Sequence, residues 1–391
     1  MTSGSFLAVL RQPGARRPAA GAVLASLPIG MLGLAVLLLV QRSQGRFASA
    51  GLAVGLLGAG TAVGMMVQGR LIDRFGQTPV LLTAAGAQLL GMSGLVLAGR
   101  AGAGAAVPVC AFLTGACEPQ VNASLRALWP TLLPSRLLPA AMTLSSLLFE
   151  VPLLLGPLLV TAMLLVTGPA AVIVLCAALF AAGTATIATS RAARAWRGEA
   201  RRNDLIGALA GPGVRTLLLV AAGHGLIIGV VQVSAAARFT ADAGLLYAAL
   251  SAGSVLGAVV GGTRLQSGRP AWWLAGLTVV AAAALAASVP AATPLAFAGC
   301  LFVLGTCLGP AGVLGFALAG RLAPPGHTVE AFTMVTAAGL SAIAVGAAAA
   351  GAAADRFGST GALAAATASA VLLALLLAAR RRSLEVHDGP S

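Results

Sequence analysis

Three side chains that can bind and release a proton lie within long apolar stretches of the sequence: Glu118, Glu150 and His224. A carboxylate or an imidazole is uncommon in such surroundings, because charge is costly away from water. Each of the three could therefore take part in proton exchange. The alternative for the carboxylates is structural, with Glu118 or Glu150 paired permanently to Arg126 or to a neighbouring hydroxyl. The alternative for His224 is a hydrogen-bonded packing role between two glycines.

Further polar residues accompany these groups at helical spacing. Residues at successive steps of four along one stretch are Thr114, Glu118, Asn122 and Arg126. Four residues advance about 400° around an α-helix, so each member drifts by only about 40° from the one before. We therefore predict a helix over 104–125 with one polar flank. Gln232 follows His224 by two turns on the same side of its helix, where it binds a solute or caps a polar pocket.

The composition shows what surrounds these groups. Of the 391 residues, 59% are hydrophobic and only 9% are charged, and the mean hydropathy is +0.97. Soluble domains average about a quarter charged residues, so this chain cannot cover itself with water-compatible surface. We conclude that it is an all-α integral membrane protein, and the soluble classes are excluded.

The net charge of +14 does not indicate a nucleic-acid partner. All 24 basic residues are arginines that occur singly or in short clusters between apolar runs, and one Tyr and four Trp offer little base stacking. The five Cys lie inside apolar runs with no CxxC pair, and no His has ligand spacing. We therefore expect no disulfide framework, no metal site and no cofactor.

Twelve apolar runs are long enough to span a bilayer as helices. Their predicted bounds are 19–40, 47–69, 79–99, 104–125, 137–166, 168–190, 214–237, 241–263, 271–290, 293–320, 329–354 and 359–379. They divide the chain into an N-terminal tail (1–18), a six-helix bundle (19–190), a linker (191–213), a second six-helix bundle (214–379) and a C-terminal tail (380–391). The linker forms either a solvated connection or an amphipathic surface helix around Trp196.

The arginines determine the predicted orientation. With twelve spans and a cytoplasmic N-terminus, 19 of the 24 arginines lie on the inner side of the membrane. Such an excess marks the cytoplasmic face, so both termini are expected there. Arginine without lysine, beside so much Ala and Gly, is typical of a GC-rich bacterial genome, and the bacterial cytoplasmic membrane is the expected location.

The two predicted bundles contain similar segments. The pattern CxFxxGxC occurs at Cys110–Cys117 in span 4 and again 190 residues later at Cys300–Cys307 in span 10. Span 2 and span 8 share small residues at an offset of 193, among them Gly60 with Gly253 and Gly64 with Gly257. A parallel repeat of six helices is typical of transporters that consist of two bundles. The same glycines also permit close helix packing.

A short motif follows span 2. It reads Gly69-Arg70-Leu71-Ile72-Asp73-Arg74-Phe75-Gly76. This motif resembles the signature of the major facilitator superfamily, which lies in the cytoplasmic loop between helices 2 and 3. A second fragment, Asp355-Arg356-Phe357-Gly358, follows span 11. Spans 2 and 11 occupy equivalent places in the inverted repeats of that superfamily, so the echo is expected on the opposite face of the membrane.

The resemblance implies specific roles for residues of the motif. Gly69, Arg70, Asp73, Arg74 and Gly76 are expected to form a gate on the cytoplasmic side. In the superfamily the acidic residue lies near the start of helix 11, whose dipole favours an anion. Helices 1, 4, 7 and 10 line the central cavity there, so the polar flank of span 4 is expected to face the solute. Glu330, near the start of span 11, is expected to interact favourably with the positive end of the dipole of its own helix.

The function that follows is a secondary active transporter of a small organic solute, with alternating access and proton coupling. Efflux-type antiport is the favoured form, although span 5 resembles the antiporter motif of the superfamily only at Gly156-Pro157 and lacks the flanking glycines of that motif. The expected partners are a small-molecule substrate, protons and membrane lipid, and the expected state is a monomer. An uncoupled uniporter is the alternative. A membrane-embedded enzyme is disfavoured, because no span carries a nucleophile and base at a useful spacing.

Overall fold

The computed structural model describes residues 8–12, 14–197, 211–261, 270–324 and 328–384. Within these ranges all regular structure is helical. The chain divides into two compact units. The first contains Met1–Gly45 and Leu56–Arg201, and the second contains Arg46–Gly55 and Arg202–Ser391. The first turns of one long helix are therefore grouped with the second unit, and the rest of that helix belongs to the first.

The first unit is built from helices connected by short segments. Their bounds are α1 Arg16–Gln44, α2 Phe47–Phe75, α3 Gln77–Arg100, α4a Ala106–Ala116, α4b Val121–Leu132, α5 Leu138–Leu164 and α6 Pro169–Ala188. A short helix, Arg191–Ala195, follows, and Ser190 caps it by accepting from Ala193 N–H. Of the predicted linker, only this beginning and the last residues before α7 are described.

The second unit continues the same architecture. Its helices are α7 Pro212–Arg238, α8 Ala243–Gly261, α9 Pro270–Ser288, α10 Pro294–Leu322 and a last helical stretch, Thr328–Arg380. This stretch is divided by non-helical backbone at Gly358 into α11 (328–357) and α12 (359–380). α6, α7, α9 and α10 begin with Pro, which lacks an N–H that the first helical turn would leave unbonded.

Close helix crossings hold each unit together. In the first unit a Cβ on Gly21 of α1 would lie 2.7 Å from the carbonyl oxygen of Gly183 in α6. A Cβ on Gly156 of α5 would overlap the backbone of Gly30 in α1. Small residues let helix backbones approach in this way where lipid provides no hydrophobic drive for association.

The outer surfaces of the helices are apolar. Leu90, Leu165, Leu295 and Leu375 are among the large side chains that the protein leaves uncovered. In the described ranges, nine helices are long and apolar enough to cross a membrane. The broken α4 is not among them, α5 contributes only a shorter apolar helix (Leu155–Leu164), and α11 and α12 are counted there as one. The prediction of an all-α membrane protein is confirmed.

Candidate functional site

The fourth predicted span is broken in the middle. Helix α4a ends at Ala116, α4b begins at Val121, and Pro119 lies between them. Proline has no N–H for the helical ladder and its ring clashes with the preceding turn. Glu118 N–H bonds the Gly115 carbonyl, and Val121 N–H bonds the Pro119 carbonyl, so the ladder is interrupted. The prediction of one helix over 104–125 with a continuous polar flank is therefore wrong.

A glutamine from α2 compensates for the break. Gln68 Nε2 donates to the carbonyl oxygens of Ala116 at 3.0 Å and of Glu118 at 2.9 Å. Gln120 Nε2 also donates to the Glu118 carbonyl, at 3.1 Å. These amides replace helical N–H donors that the carbonyls have lost. Gln68 is only 5% exposed, and its Oε1 has no hydrogen-bond partner in the described part of the chain.

The carboxylate of Glu118 lies at this break. Thr61 Oγ1, on α2, is 3.1 Å from Glu118 Oε2 and also 3.1 Å from the Leu57 carbonyl oxygen. A hydroxyl carries one proton, so it donates to one of these two acceptors at a time. Among the described residues Glu118 forms no ion pair with Arg126, so of the two structural alternatives for Glu118 the structure contains the bond to a neighbouring hydroxyl and not the pairing with Arg126.

Glycines bring α2 and α4a together at this point. A Cβ on Gly60 would overlap the Phe112 carbonyl, one on Gly64 the Ala116 carbonyl, and one on Gly115 the Leu57 carbonyl. The close approach is what lets side chains of α2 reach the break.

The second unit contains the same contact between α8 and α10. Here the overlaps are Gly253 with the Phe302 carbonyl, Gly257 with the Thr306 carbonyl, and Gly305 with the Leu250 carbonyl. Every pair is displaced from its counterpart by the offsets of 193 and 190 seen in the sequence. The predicted internal repeat is confirmed at these three helix contacts.

The other polar residues of the fourth span have separate surroundings. Asn122, in α4b, accepts a hydrogen bond from Ser26 Oγ of α1 through Oδ1 at 3.2 Å. Arg126 is exposed on α4b, and the Thr114 hydroxyl donates to the Cys110 carbonyl within α4a. Glu150 lies in α5, but its side chain is outside the described part of the structure.

His224 and Gln232 both lie on α7 in the second unit. The Thr278 hydroxyl donates to the Leu274 carbonyl at 2.9 Å, so its oxygen accepts from His224 Nε2, 3.1 Å away. In a neutral imidazole this bond assigns the proton to Nε2. The Gln232 backbone carbonyl accepts from the Tyr247 hydroxyl at 2.6 Å.

The motif after span 2 is helical nearly to its end. Helix α2 continues to Phe75, so Gly69, Arg70, Asp73 and Arg74 belong to its last turns. The prediction that α2 ends at residue 69 and α3 starts at 79 is wrong. Gly76 is the only residue between the two helices, with φ 86° and ψ 168°. Few residues other than glycine adopt this positive φ, and Gly358 repeats it after α11 with φ 71° and ψ 171°.

The fragment after span 11 makes a defined contact within the second unit. The carboxylate of Asp355 accepts from the backbone N–H groups of Phe47 and Ala48, both at 3.0 Å. Arg46 Nε lies 3.8 Å from Asp355 Oδ2. Phe47 and Ala48 are the first residues of α2, so the carboxylate of Asp355 in α11 interacts favourably with the positive end of the α2 dipole. From the sequence, Asp355 is only part of the second motif fragment, and nothing in the sequence predicts its contact with the start of α2.

Comparison with solved structures identifies the fold. The crystal structure of nucleoside transporter NupG (D323A mutant) superposes with a TM-score of 0.77 at 11% identity, covering 93% of this chain and 98% of that one. A bacterial homologue of the human lysosomal transporter Spinster, in an inward-facing and unoccupied conformation, gives 0.72 at 12% identity, with 98% of each chain covered.

A third structure, the human organic anion transporter MFSD10 (TETRAN), gives a TM-score of 0.59 at 14% identity, covering 94% of this chain and 100% of that one. These are transporters of the major facilitator superfamily fold, and this chain has that fold, as predicted. No protein-family model matches the sequence, and no curated protein matches it significantly.

Proposed function

We propose that this protein is a secondary active transporter that moves a small organic solute by alternating access, driven by protons that bind Glu118. The observation that carries the proposal is the carboxylate of Glu118 at the break in α4, with a hydroxyl as its neighbour and no ion pair in the described residues. An ionisable group inside a membrane-spanning segment without a basic partner is costly to keep for packing alone.

The hydroxyl of Thr61 gives the proton a structural consequence. When Glu118 is ionised, this hydroxyl donates to the carboxylate. When Glu118 is protonated, its own O–H donates to Thr61 Oγ1, whose proton then goes to the Leu57 carbonyl. Protonation thus reverses two hydrogen bonds between α2 and α4a and removes a charge from their contact, which makes the carboxyl a suitable switch.

The fold supports transport of a solute rather than of an ion alone. The compared structures are described as a nucleoside transporter, an organic anion transporter and a homologue of a lysosomal transporter. We assign a small organic solute to this chain and twelve membrane crossings in two bundles of six, with both termini on the cytoplasmic side, where the arginines predominate. Efflux-type antiport is the direction that we propose.

The remaining predicted residues keep their proposed roles. Asn122, Arg126, Glu150, His224 and Gln232 are assigned to the solute and proton pathway. Gly69, Arg70, Asp73, Arg74 and Gly76 are assigned to a cytoplasmic gate. The contact of Asp355 with the start of α2 is made by the echo of the motif, which is predicted on the opposite face of the membrane, and it is the kind of helix-start contact that we assign to Asp73 on the cytoplasmic side.

Glu118→Gln tests the proposal. A ligand screen by thermal shift, beginning with nucleosides and organic anions, identifies a solute, and the variant is then reconstituted into liposomes. A glutamine resembles the protonated carboxyl permanently, so we expect transport driven by a pH gradient to vanish while exchange of solute across the membrane persists. Solute flux and proton flux are measured together.

Thr114→Val is the matched control, since Thr114 is buried in the same half of the span and bonds only within its own helix. It should leave coupling unchanged. Uphill transport by Glu118→Gln in response to a pH gradient would remove this residue from coupling and leave Glu150, His224 or an uncoupled uniporter.

A further inference from the structure

We propose that the break in α4 is a binding site for a monovalent metal cation of the sodium class. Its ligands are the carboxylate of Glu118 and the amide oxygen of Gln68, together with peptide carbonyl oxygens of the break. The site lies entirely within the first unit, and it is formed by two helices that the glycine contacts hold together.

The amide oxygen of Gln68 is the first argument. Both hydrogens of its Nε2 are directed at the carbonyls of Ala116 and Glu118, so the orientation of the amide is determined by these two acceptors. Its Oε1 is bonded to the same carbon and therefore also lies at the break. This oxygen is buried and has no partner among the described residues. A buried acceptor of this kind costs free energy unless a donor or a cation reaches it.

The backbone at the break adds oxygen atoms. In an unbroken helix the Cys117 carbonyl would accept from Val121 N–H, but this N–H bonds the Pro119 carbonyl instead. Unwound segments of membrane helices expose carbonyls in this way, and such carbonyls coordinate sodium in transporters. All donors at the break are oxygens of carboxylate, amide, hydroxyl or peptide groups, which hard cations prefer.

The charge balance selects a monovalent ion. Glu118 supplies one negative charge, and in the described part of the chain no ion pair with a basic residue balances it. One positive charge neutralises the site, whereas a divalent ion would leave a net charge inside the membrane.

The second unit provides an internal comparison. At the repeat offsets, Leu308 occupies the position of Glu118 and Gly261 occupies that of Gln68, while the glycine contacts are kept. Helix packing therefore does not require either polar residue. Their presence together in one unit, on two helices, indicates a ligand that both of them bind.

A cation and a proton would compete for the same carboxylate. Binding of the ion can be measured without any solute, whereas its use as a coupling ion rests on the proposed function. Sodium should therefore bind more weakly as the pH falls, since protonation of Glu118 removes the charge that attracts it.

The experiment measures binding of ²²Na⁺ to the purified full chain in detergent, by scintillation proximity, with choline replacing sodium in the blanks. We expect saturable binding that Glu118→Gln abolishes. Gln68→Met, which removes the amide at similar volume, should weaken binding by about 10- to 100-fold. Helical content and melting temperature show that each variant is folded.

Gln77→Met is the matched control. Gln77 is also buried, also donates through Nε2 to a carbonyl of the fourth span, that of Ser124, and also has an unpartnered Oε1 in the described part of the chain. It should bind sodium like the unmodified protein. Absence of saturable binding, or binding that Glu118→Gln leaves intact, overturns the cation site even if proton-driven transport is found. Sodium binding without solute transport would support the site and reject the proposed function.

Discussion

Helices α4 and α10 are copies of one another, yet only one of them is continuous. α10 runs unbroken over Pro294–Leu322, although Pro310 lies inside it. α4 is interrupted between Ala116 and Val121. Both pack against the second helix of their own half through the same glycine contacts. The difference is therefore confined to the residues at the break and to the glutamine that bonds it.

This difference distinguishes the residues that helix packing requires from those that it does not require. Glycines at equivalent positions allow the close approach of two helices in each half, so their role is in helix packing. Glu118, Pro119 and Gln68 have Leu308, Gly309 and Gly261 as counterparts, so they are not needed for that packing. A repeat within one chain thus acts as a control that a single copy could not provide.

The largest expected effect lies in the shared part. Gly115→Ala and Gly305→Ala each place a Cβ against a backbone carbonyl of the neighbouring helix, which cannot move without separating the pair. Each change should cost about 1–3 kcal/mol or more of folding free energy. Thermal unfolding monitored by size-exclusion chromatography measures the loss.

Gly86→Ala and Gly299→Ala are the controls, because a Cβ at either position meets nothing within 4 Å. Equal losses at residues 115 and 305 support the equivalence of the halves. If one of the two substitutions is tolerated and the other is not, the two halves are not equivalent at this contact.

An intermediate effect is expected when the first half is given the residues of the second. The triple variant Gln68→Gly, Glu118→Leu and Pro119→Gly should make α4 continuous, because it removes the proline and the carboxylate together. Stability should change by about 1 kcal/mol or less, since one buried amide network is exchanged for helical bonds. Hydrogen exchange at Val121 and Asn122 should slow, and pH-driven transport should be lost.

Slow exchange with transport retained would show that the break is not used. Leu308→Glu alone gives the reverse comparison. It inserts a carboxylate with no glutamine at residue 261, and it should destabilise the second unit by a few kcal/mol.

The smallest effect concerns the two copies of the motif. Asp355→Asn leaves one oxygen to accept from Phe47 or Ala48 but removes the charge at the start of α2, which should cost about 0.3–1 kcal/mol. Asp73→Asn should leave the protein folded and reduce transport, as a gate residue would. Both variants are compared by melting temperature and by solute uptake.

Asp242→Asn, in the short turn directly before α8, measures the loss of a carboxylate at another helix start of the second unit. A change in melting temperature for Asp73→Asn as large as for Asp355→Asn would indicate that the two copies have the same structural role.

The sequence was sufficient for the fold and for the position of one key residue. Apolar run length, arginine bias and the repeat are each consequences of a bilayer, and they predicted the helices within a few residues at most boundaries. Glu118 stood out because a carboxylate is rare in such a run. The break is not predicted, because an apolar run of this length is expected to form one continuous helix. The only sign of a break in the sequence is Pro119, which lacks the N–H that the helical hydrogen-bond pattern needs.

Gln68 could not have been found in the same way. A glutamine near the end of a span is expected to lie at the membrane interface. The importance of Gln68 depends on its hydrogen bond to the Ala116 carbonyl, which is 48 residues away in the chain. Likewise the motif at Asp73 was predicted to be a loop, because polar residues usually end a membrane helix. The structure instead extends α2 by another turn and a half beyond the predicted end.

The single-residue connections at Gly76 and Gly358 bear on how the chain is made. α2 has 29 residues and α3 has 24, and only one residue joins them, so the ends of the two helices cannot separate while the chain is being inserted. We expect each such pair to enter the bilayer as one helical hairpin, and we expect the same for 328–357 and 359–380. An insertion at either glycine should then disturb both helices that it joins.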